Sequence, residues 1–79
     1  MIYTIMHAIS VKNVLHVELT KNGNMFVVFA WDGNGFRTIE RRKFSRYDEA
    51  EAAFKAMCKQ YNMTTINEVE HTWDATDFD

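Results

Sequence analysis

Alternating apolar and polar residues fill the first half of the chain and predict β-strands. Two short loops that contain all three glycines interrupt the alternation, KNGN at 21–24 and DGNG at 32–35. Asn-Gly between two alternating runs is typical of a tight hairpin turn. The pattern predicts strands at about 14–20, 25–31 and 36–43. A fourth strand is predicted at about 1–9, turning at Lys12-Asn13.

A helical period replaces the alternation near residue 46. Apolar side chains then recur three or four residues apart, at Tyr47, Ala50, Phe54, Met57 and Tyr61. This spacing predicts an amphipathic helix at about 46–61. We expect Ser45 to cap its start with Asp48 at the N3 position, and Asn62 to end it in the left-handed conformation.

The segment 66–75 fits two patterns. Ile66, Val69 and Trp73 share one face of a helix, whereas Val69, His71 and Trp73 alternate as in a strand. We predict a short second helix, because TINE at 65–68 matches a capping box, and a frayed tail at about 76–79. The expected fold is α+β in one domain, 1–79. It is an antiparallel four-stranded sheet packed on one face by two helices, in the order ββββαα.

The turns assign the strand residues to two faces of the sheet, since side chains alternate along a strand. With Asn22-Gly23 as a two-residue turn, one set of cross-strand pairs forms the core face. The expected pairs are Leu19 with Phe26, Val17 with Val28, and Leu15 with Ala30. Even-length loops add Ile39 to this face, which the first helix is expected to cover.

The opposite, open face is more apolar than a solvent-facing sheet requires. Its apolar residues are Met25, Val27, Phe29, Trp31 and Phe36, and its polar rim is His16, Glu18, Glu40 and Arg42. Exposed patches of these residue types mark interfaces. The face is predicted to bind a protein partner, with Trp31, Phe29 and Phe36 as anchors. A homodimer and burial within the monomer are the alternatives. Trp31→Ala is expected to weaken partner binding without unfolding the protein.

Charge is divided unevenly along the 79 residues, whose net charge is -2. Residues 1–47 hold seven Lys/Arg and three Asp/Glu, and residues 48–79 hold two and eight. The basic charge is concentrated in Arg37, Arg41, Arg42, Lys43 and Arg46. Such polarity favours electrostatic docking. Nucleic-acid binding is a less favoured alternative, because sheet aromatics can stack bases but the overall balance is acidic.

Few residues suggest catalysis. His7, His16 and His71 lack partners at zinc-ligand spacing, so neither a metal nor a cofactor is expected. Cys58 lies on the predicted buried stripe of the helix and is expected to be an inert core thiol. His16 with Glu18 or Arg42 is a catalytic set only if a cleft joins them, so no enzyme is predicted. With no leader, no membrane-length apolar run and one cysteine, we expect a cytoplasmic protein.

The order of strands, the Asn-Gly hairpin near position 22 and the terminal helices resemble a small phage family. These are the anti-CRISPR inhibitors of the type I-F (Csy) surveillance complex. The similarity runs nearly end to end without gaps, and its matching points are Asn13, Asn22-Gly23, Phe44, Glu51 and Phe54. It implies four antiparallel strands on two antiparallel helices. It also implies an inhibitor that binds the backbone subunits of the host complex and obstructs DNA hybridisation.

The chain departs from this family at its binding residues. In the family, binding rests on two tyrosines and a glutamate of the open sheet face. Met6, Thr20 and Trp31 occupy those places in this chain, so those contacts are not carried over. The expected function is therefore a small protein-binding inhibitor that uses a more apolar face of its own.

Overall fold

The computed structural model describes residues 2–10 and 14–63, together with the backbone of residues 65–73. It contains five strands and one helix. In chain order, these are β1 (Ile2–Ser10), β2 (Leu15–Asn22), β3 (Met25–Asp32), β4 (Arg37–Phe44), α1 (Tyr47–Gln60) and β5 (Thr65–Trp73). The predicted α+β class and antiparallel sheet are confirmed. The expected turn at 12–13 and the expected frayed tail lie outside the described residues.

The strands form a single antiparallel sheet in the order β4-β3-β2-β1-β5. β2, β3 and β4 follow one another as a meander, and β1 lies between β2 and β5. Helix α1 packs on one face of this sheet, against β2, β3 and β4. We call the face away from α1 the open face.

The predicted second helix at 66–75 is wrong, because residues 65–73 form β5. This strand pairs with β1 from Ile9 opposite Thr65 to Ile2 opposite Trp73. Without it, β1 would present a row of unpaired backbone donors and acceptors at the sheet edge. The alternation through Val69 and His71 was therefore the correct pattern, and the helical spacing was coincidental.

The turn of the first hairpin lies one residue later than predicted. Asn22 pairs with Met25, which leaves Gly23 and Asn24 as the central residues. Gly23 has φ of +63°, and it is the only central residue with positive φ, as a type II′ turn requires. The shift changes the partners, so that Leu19 lies opposite Val28 rather than Phe26. It does not change the faces, since a two-residue shift preserves side-chain alternation.

The second hairpin contains a β-bulge. Trp31 lies opposite Thr38 and Ala30 lies opposite Glu40, so Ile39 has no partner of its own. One extra residue in a strand exchanges the faces of every residue beyond it.

Three predicted positions on β4 are wrong for this reason. Ile39, expected in the core, is 49% exposed. Glu40 and Arg42, expected on the open face, instead lie on the α1 side, where they form a salt bridge of 2.9 Å. Glu40 also accepts a hydrogen bond of 3.0 Å from Tyr61 Oη, just beyond the end of α1.

The core lies between α1 and the central strands. Its sheet side is formed by Met6, Ala8, Val17, Leu19, Val28 and Ala30. Its helix side is formed by Ala50, Phe54, Met57 and Cys58, at the spacing that the sequence predicted. This single layer of contact covers one face of the sheet, and no helix of the described residues covers the open face.

The two ends of α1 differ from each other in how they are capped. Arg46, not Ser45, is the N-cap residue, and no side chain caps the first turn. Asp48 instead binds Arg46 in a salt bridge of 3.0 Å. At the other end, Asn62 adopts φ of +54°, as predicted. Met63 N donates to Cys58 O at 2.9 Å, which completes a Schellman motif.

Candidate functional site

Four rings stand side by side across the open face and form an aromatic ladder, which consists of His7, His16, Trp31 and Phe36. The ring centroids of His7 and His16 are 5.0 Å apart, with planes 14° from parallel. His16 and Trp31 are 3.9 Å apart at 6°, and Trp31 and Phe36 are 5.9 Å apart at 19°. Cross-strand pairing of His16 with Trp31 places the two central rings in direct contact.

Hydrogen bonds fix the ladder in position. Trp31 Nε1 donates to Glu18 Oε2 at 2.7 Å, and Thr4 Oγ1 donates to Glu18 Oε1 at 3.5 Å. His7 Nε2 and His16 Nδ1 are 2.8 Å apart, so one imidazole donates to the other. Because a donor must face an acceptor, only one of these two nitrogens holds a proton.

The central histidine is disposed to remain neutral. Burial lowers the pKa of His16, the positive charge of His7 lowers it further, and Glu18 raises it in part. A neutral His16 has one protonated and one unprotonated ring nitrogen, so its Nδ1 can either donate to His7 or accept from it.

Two loops meet at the outer end of the ladder. Gly33 N donates to Val14 O at 2.8 Å, and Asn34 N donates to Asp32 Oδ1 at 2.8 Å. A Cβ on Gly33 would come within 2.7 Å of Val14 Cγ1 and 3.1 Å of Val14 O, so only glycine allows this approach. We call this region the loop tip, comprising Val14 and residues 33–36.

Phe36 is the most exposed large apolar residue of the loop tip. The residue is 80% exposed, and its backbone has φ of +55°. A bulky residue in the left-handed region costs about 1–2 kcal/mol. Backbone strain of this kind is concentrated at functional sites, where the surrounding structure holds it in place. Phe36 thus combines an exposed ring with a strained backbone.

The middle of the open face is buried rather than exposed. Val27 and Phe29, predicted to be surface anchors, are only 5% and 8% exposed. They line a cleft of about 150 Å³ with Ile2 and Thr20, and Arg41 is also among its lining residues. A cleft of this size is smaller than the pockets of about 300 Å³ or more that hold drug-sized ligands.

The predicted site residues therefore divide into four groups. Trp31, Phe36, His16 and Glu18 come together in or beside the ladder, as expected. Met25 is partly exposed at the opposite end of β3. Val27 and Phe29 are buried, and Arg42 lies on the α1 side.

Sequence reasoning missed three residues of the open face. His7 was overlooked because the strand predicted at 1–9 was not given a register, although His7 alternates with the buried Met6 and Ala8. Arg41 and Lys43 lie opposite Phe29 and Val27 because of the bulge. No local sequence signal marks a bulge at Ile39, which is not a glycine.

The described side chains offer little for metal or covalent chemistry. No group of three His, Cys, Asp or Glu among them is placed to hold a metal ion. Cys58 is buried under the sheet, and burial raises the pKa of its thiol to about 11. A thiol with such a pKa is a poor nucleophile at neutral pH.

In the part of the chain that the structure describes, no helical segment has the length and apolar character that crossing a membrane requires. Comparisons of the chain with protein families, curated proteins and solved structures found no match.

Proposed function

We propose that this protein works by binding another protein, with the outer end of the open face as its contact surface. Phe36 is the anchor of that surface, and the Trp31 ring stacks on one face of the Phe36 ring. The observation that supports this most directly is the exposed Phe36 ring on a left-handed backbone. The solvent-exposed part of the ring and the left-handed backbone do not stabilise the isolated fold, and both present an apolar side chain to a partner.

Rigidity favours a binding role for this end of the molecule. The Phe36 ring stacks on Trp31, which is itself held by Glu18. A group that is already ordered loses little conformational entropy on binding, about 0.5–1.5 kcal/mol less than a mobile side chain. Aromatic residues in such positions are typical binding hot spots.

The ladder suits a protein partner better than a nucleic acid. Domains that stack several bases need several open ring faces. Both faces of His16 and of Trp31 are occupied by neighbouring rings, so that within the described ladder only the terminal rings, His7 and Phe36, have a face without a ring neighbour. Glu18 also places a carboxylate beside the ladder, where it would repel phosphate.

A homodimer is less favoured by the same geometry. Val27 and Phe29 are buried, and Phe36, at 80% exposed, is by far the most exposed of the large apolar residues that the structure describes. Stable homodimers bury large and mainly apolar surfaces. A small apolar tip with charged surroundings is more typical of a contact with a different protein.

The family resemblance directs the choice of partner. We propose that the partner is a CRISPR–Cas surveillance complex of the host, and that the bound protein blocks the access of nucleic acid to it. This finer proposal rests on the similarity of the strand and turn pattern. The steric mechanism needs only a rigid domain with one apolar tip.

The test uses purified type I-F surveillance complex and its target DNA. We expect the wild-type protein to bind the complex and to prevent target binding, as measured by biolayer interferometry and by a gel-shift assay. Phe36→Ala should weaken binding by at least about 1 kcal/mol, the level that defines a significant contact. Ile39→Ala is the matched control, because Ile39 is an exposed apolar residue of β4 outside the loop tip.

Each alternative predicts a different outcome. Equal binding by the wild type and Phe36→Ala would refute the role of the loop tip. Tight binding of oligo-dT that weakens steeply with salt would favour the nucleic-acid alternative. A dimer in sedimentation that dissociates on Phe36→Ala substitution would favour self-association. Phe36 is a better test than Trp31, because Trp31 has two ring contacts and a hydrogen bond within the fold itself.

A further inference from the structure

The outer edge of β4 is the most basic feature of the molecule, and it begins at the loop tip. We infer that an extended, acidic segment of the partner binds along residues 40–44 as an added β-strand. This inference rests on the proposed protein-binding function. It specifies the chemistry of the partner, whereas the loop tip provides the anchor.

The backbone of β4 is available for such pairing. β4 pairs with β3 on one side and is the last strand of the sheet on the other. Six of its eight residues are exposed and none is buried. The bulge at Ile39 interrupts the edge, but pairing is regular from Glu40 to Phe44. This part of the edge offers five consecutive residues of straight backbone to an incoming strand.

The charges of the edge select an acidic segment. Arg41 and Lys43 lie two residues apart and share the open face. Arg37, Arg41 and Lys43 make no ion pair with any described residue, whereas Arg42 is paired with Glu40. An added strand with carboxylates at alternate positions would bring one close to Arg41 and another close to Lys43.

A second copy of the chain fits this edge poorly. Antiparallel pairing of two β4 strands would place the Arg and Lys side chains of one copy close to those of the other. Like charges opposite each other destabilise a sheet, and edge cations are a known protection against self-pairing. The same charges attract an acidic strand, so the edge excludes copies of itself and admits a partner of opposite charge.

A nucleic acid fits the edge less well than a peptide does. A strand edge presents amide donors and carbonyl acceptors in alternation. A peptide backbone satisfies both kinds of group, whereas phosphate oxygens accept from the donors and repel the carbonyls. The regular backbone at 40–44 therefore favours a peptide.

The experiment measures binding of a fluorescent, acetylated nonapeptide of alternating Glu and Thr to the wild-type protein by anisotropy. Three matched peptides separate the contributions: one is N-methylated at alternate amides, one has Lys in place of Glu, and one is scrambled. N-methylation removes donors without changing charge, so it should weaken binding at least about tenfold. Amide exchange of residues 40–44 should slow when the unmethylated peptide is bound.

Substitutions on the protein complete the test. The double substitution Arg41→Gln, Lys43→Gln should weaken binding of the acidic peptide at least about tenfold. Arg37→Gln is the matched control, because Arg37 lies on the other side of the bulge. If the methylated and unmethylated peptides bind equally well, or if amide exchange at 40–44 does not change on binding, the peptide does not pair with β4 as an added strand. If oligo-dT binds more tightly than the acidic peptide and displaces it, the inference is wrong and the edge binds nucleic acid.

The outcome is distinct from that of the proposed function. Phe36→Ala should leave binding of the short peptide unchanged, because the peptide pairs with residues 40–44. Failure of the peptide to bind, while Phe36→Ala still impairs binding to the surveillance complex, refutes the inference alone.

Discussion

The strained backbone at Phe36 leads to an unusual prediction, namely that glycine at this position is more stable than alanine. In most strands and helices, glycine is less stable than alanine by about 0.5–1 kcal/mol. At Phe36, φ is +55°, a conformation that glycine adopts readily and that other residues adopt at a cost of about 1–2 kcal/mol. Phe36→Gly should therefore be more stable than Phe36→Ala by about 1 kcal/mol.

The loss of the ring is the same in both variants and cancels in this comparison. Relative to the wild type, the ring contributes stacking on Trp31 and the burial of about a fifth of its surface. Together these are roughly 1–2 kcal/mol. Phe36→Ala should lower the free energy of unfolding by this amount. In Phe36→Gly, relief of the backbone strain should bring the free energy of unfolding to within about 1 kcal/mol of the wild type.

Urea unfolding followed by tryptophan fluorescence measures the difference, and thermal unfolding followed by circular dichroism confirms it. A difference of 1 kcal/mol corresponds to about 4–8 °C in Tm for a domain of this size. The matched control is Thr38, an exposed strand residue with ordinary φ, where alanine should be the more stable of the two. If Phe36→Ala equals or exceeds Phe36→Gly in stability, the loop tip does not strain residue 36, and Phe36 is not a strained anchor.

Three further predictions concern the ladder and the core. First, stability should fall as the pH is lowered from about 6.5, because the pKa of His16 is lower in the folded than in the unfolded chain, which therefore binds more protons. The slope is at most about 1.4 kcal/mol per pH unit, and an equal slope between pH 5 and 7 in His16→Gln would contradict this origin. Second, Phe54→Ala should lower the free energy of unfolding in urea by about 3–5 kcal/mol, because removal of the fully buried ring leaves a cavity. A decrease of less than about 1 kcal/mol would be inconsistent with this core. Third, Cys58 should react with a disulfide reagent at pH 8 only at the rate of unfolding, because burial raises the pKa of its thiol to about 11. Rapid labelling without denaturant would show that the sheet does not cover this face of α1.

The elements that local patterns determine were predicted from the sequence, and those that depend on a distant neighbour were not. The four strands and α1 follow from alternation, loop glycines and helical spacing, all of which are local. The segment 65–73 is ambiguous by the same criteria. It becomes a strand because β1 offers a complementary backbone edge, from Ile2 opposite Trp73 onward. Tertiary pairing of this kind overrides short-range preference.

The candidate site was predicted in part for a similar reason. Trp31, His16 and Glu18 share the open face because a register error of two residues leaves the faces unchanged. One extra residue at Ile39 was enough to exchange Arg42 for Arg41 and Lys43 on that face. Alternation alone also cannot show which apolar residues are buried, since burial of Phe29 depends on how the sheet twists and what surrounds it.

The position of β1 between β2 and β5 has a consequence for how the protein folds. β2, β3, β4 and α1 are joined by short connections and form contacts close in sequence. β5 pairs with a strand from the opposite end of the chain. Contacts that span most of a chain form slowly, because the loop entropy must be lost first.

Until β5 arrives, one side of β1 has no partner strand. Such an unpaired edge is the feature that leads partly folded chains to associate. We therefore expect the yield of folded protein to depend on chain concentration during refolding. The arrival of β5 thus ends the interval in which a newly made chain is prone to associate with other chains.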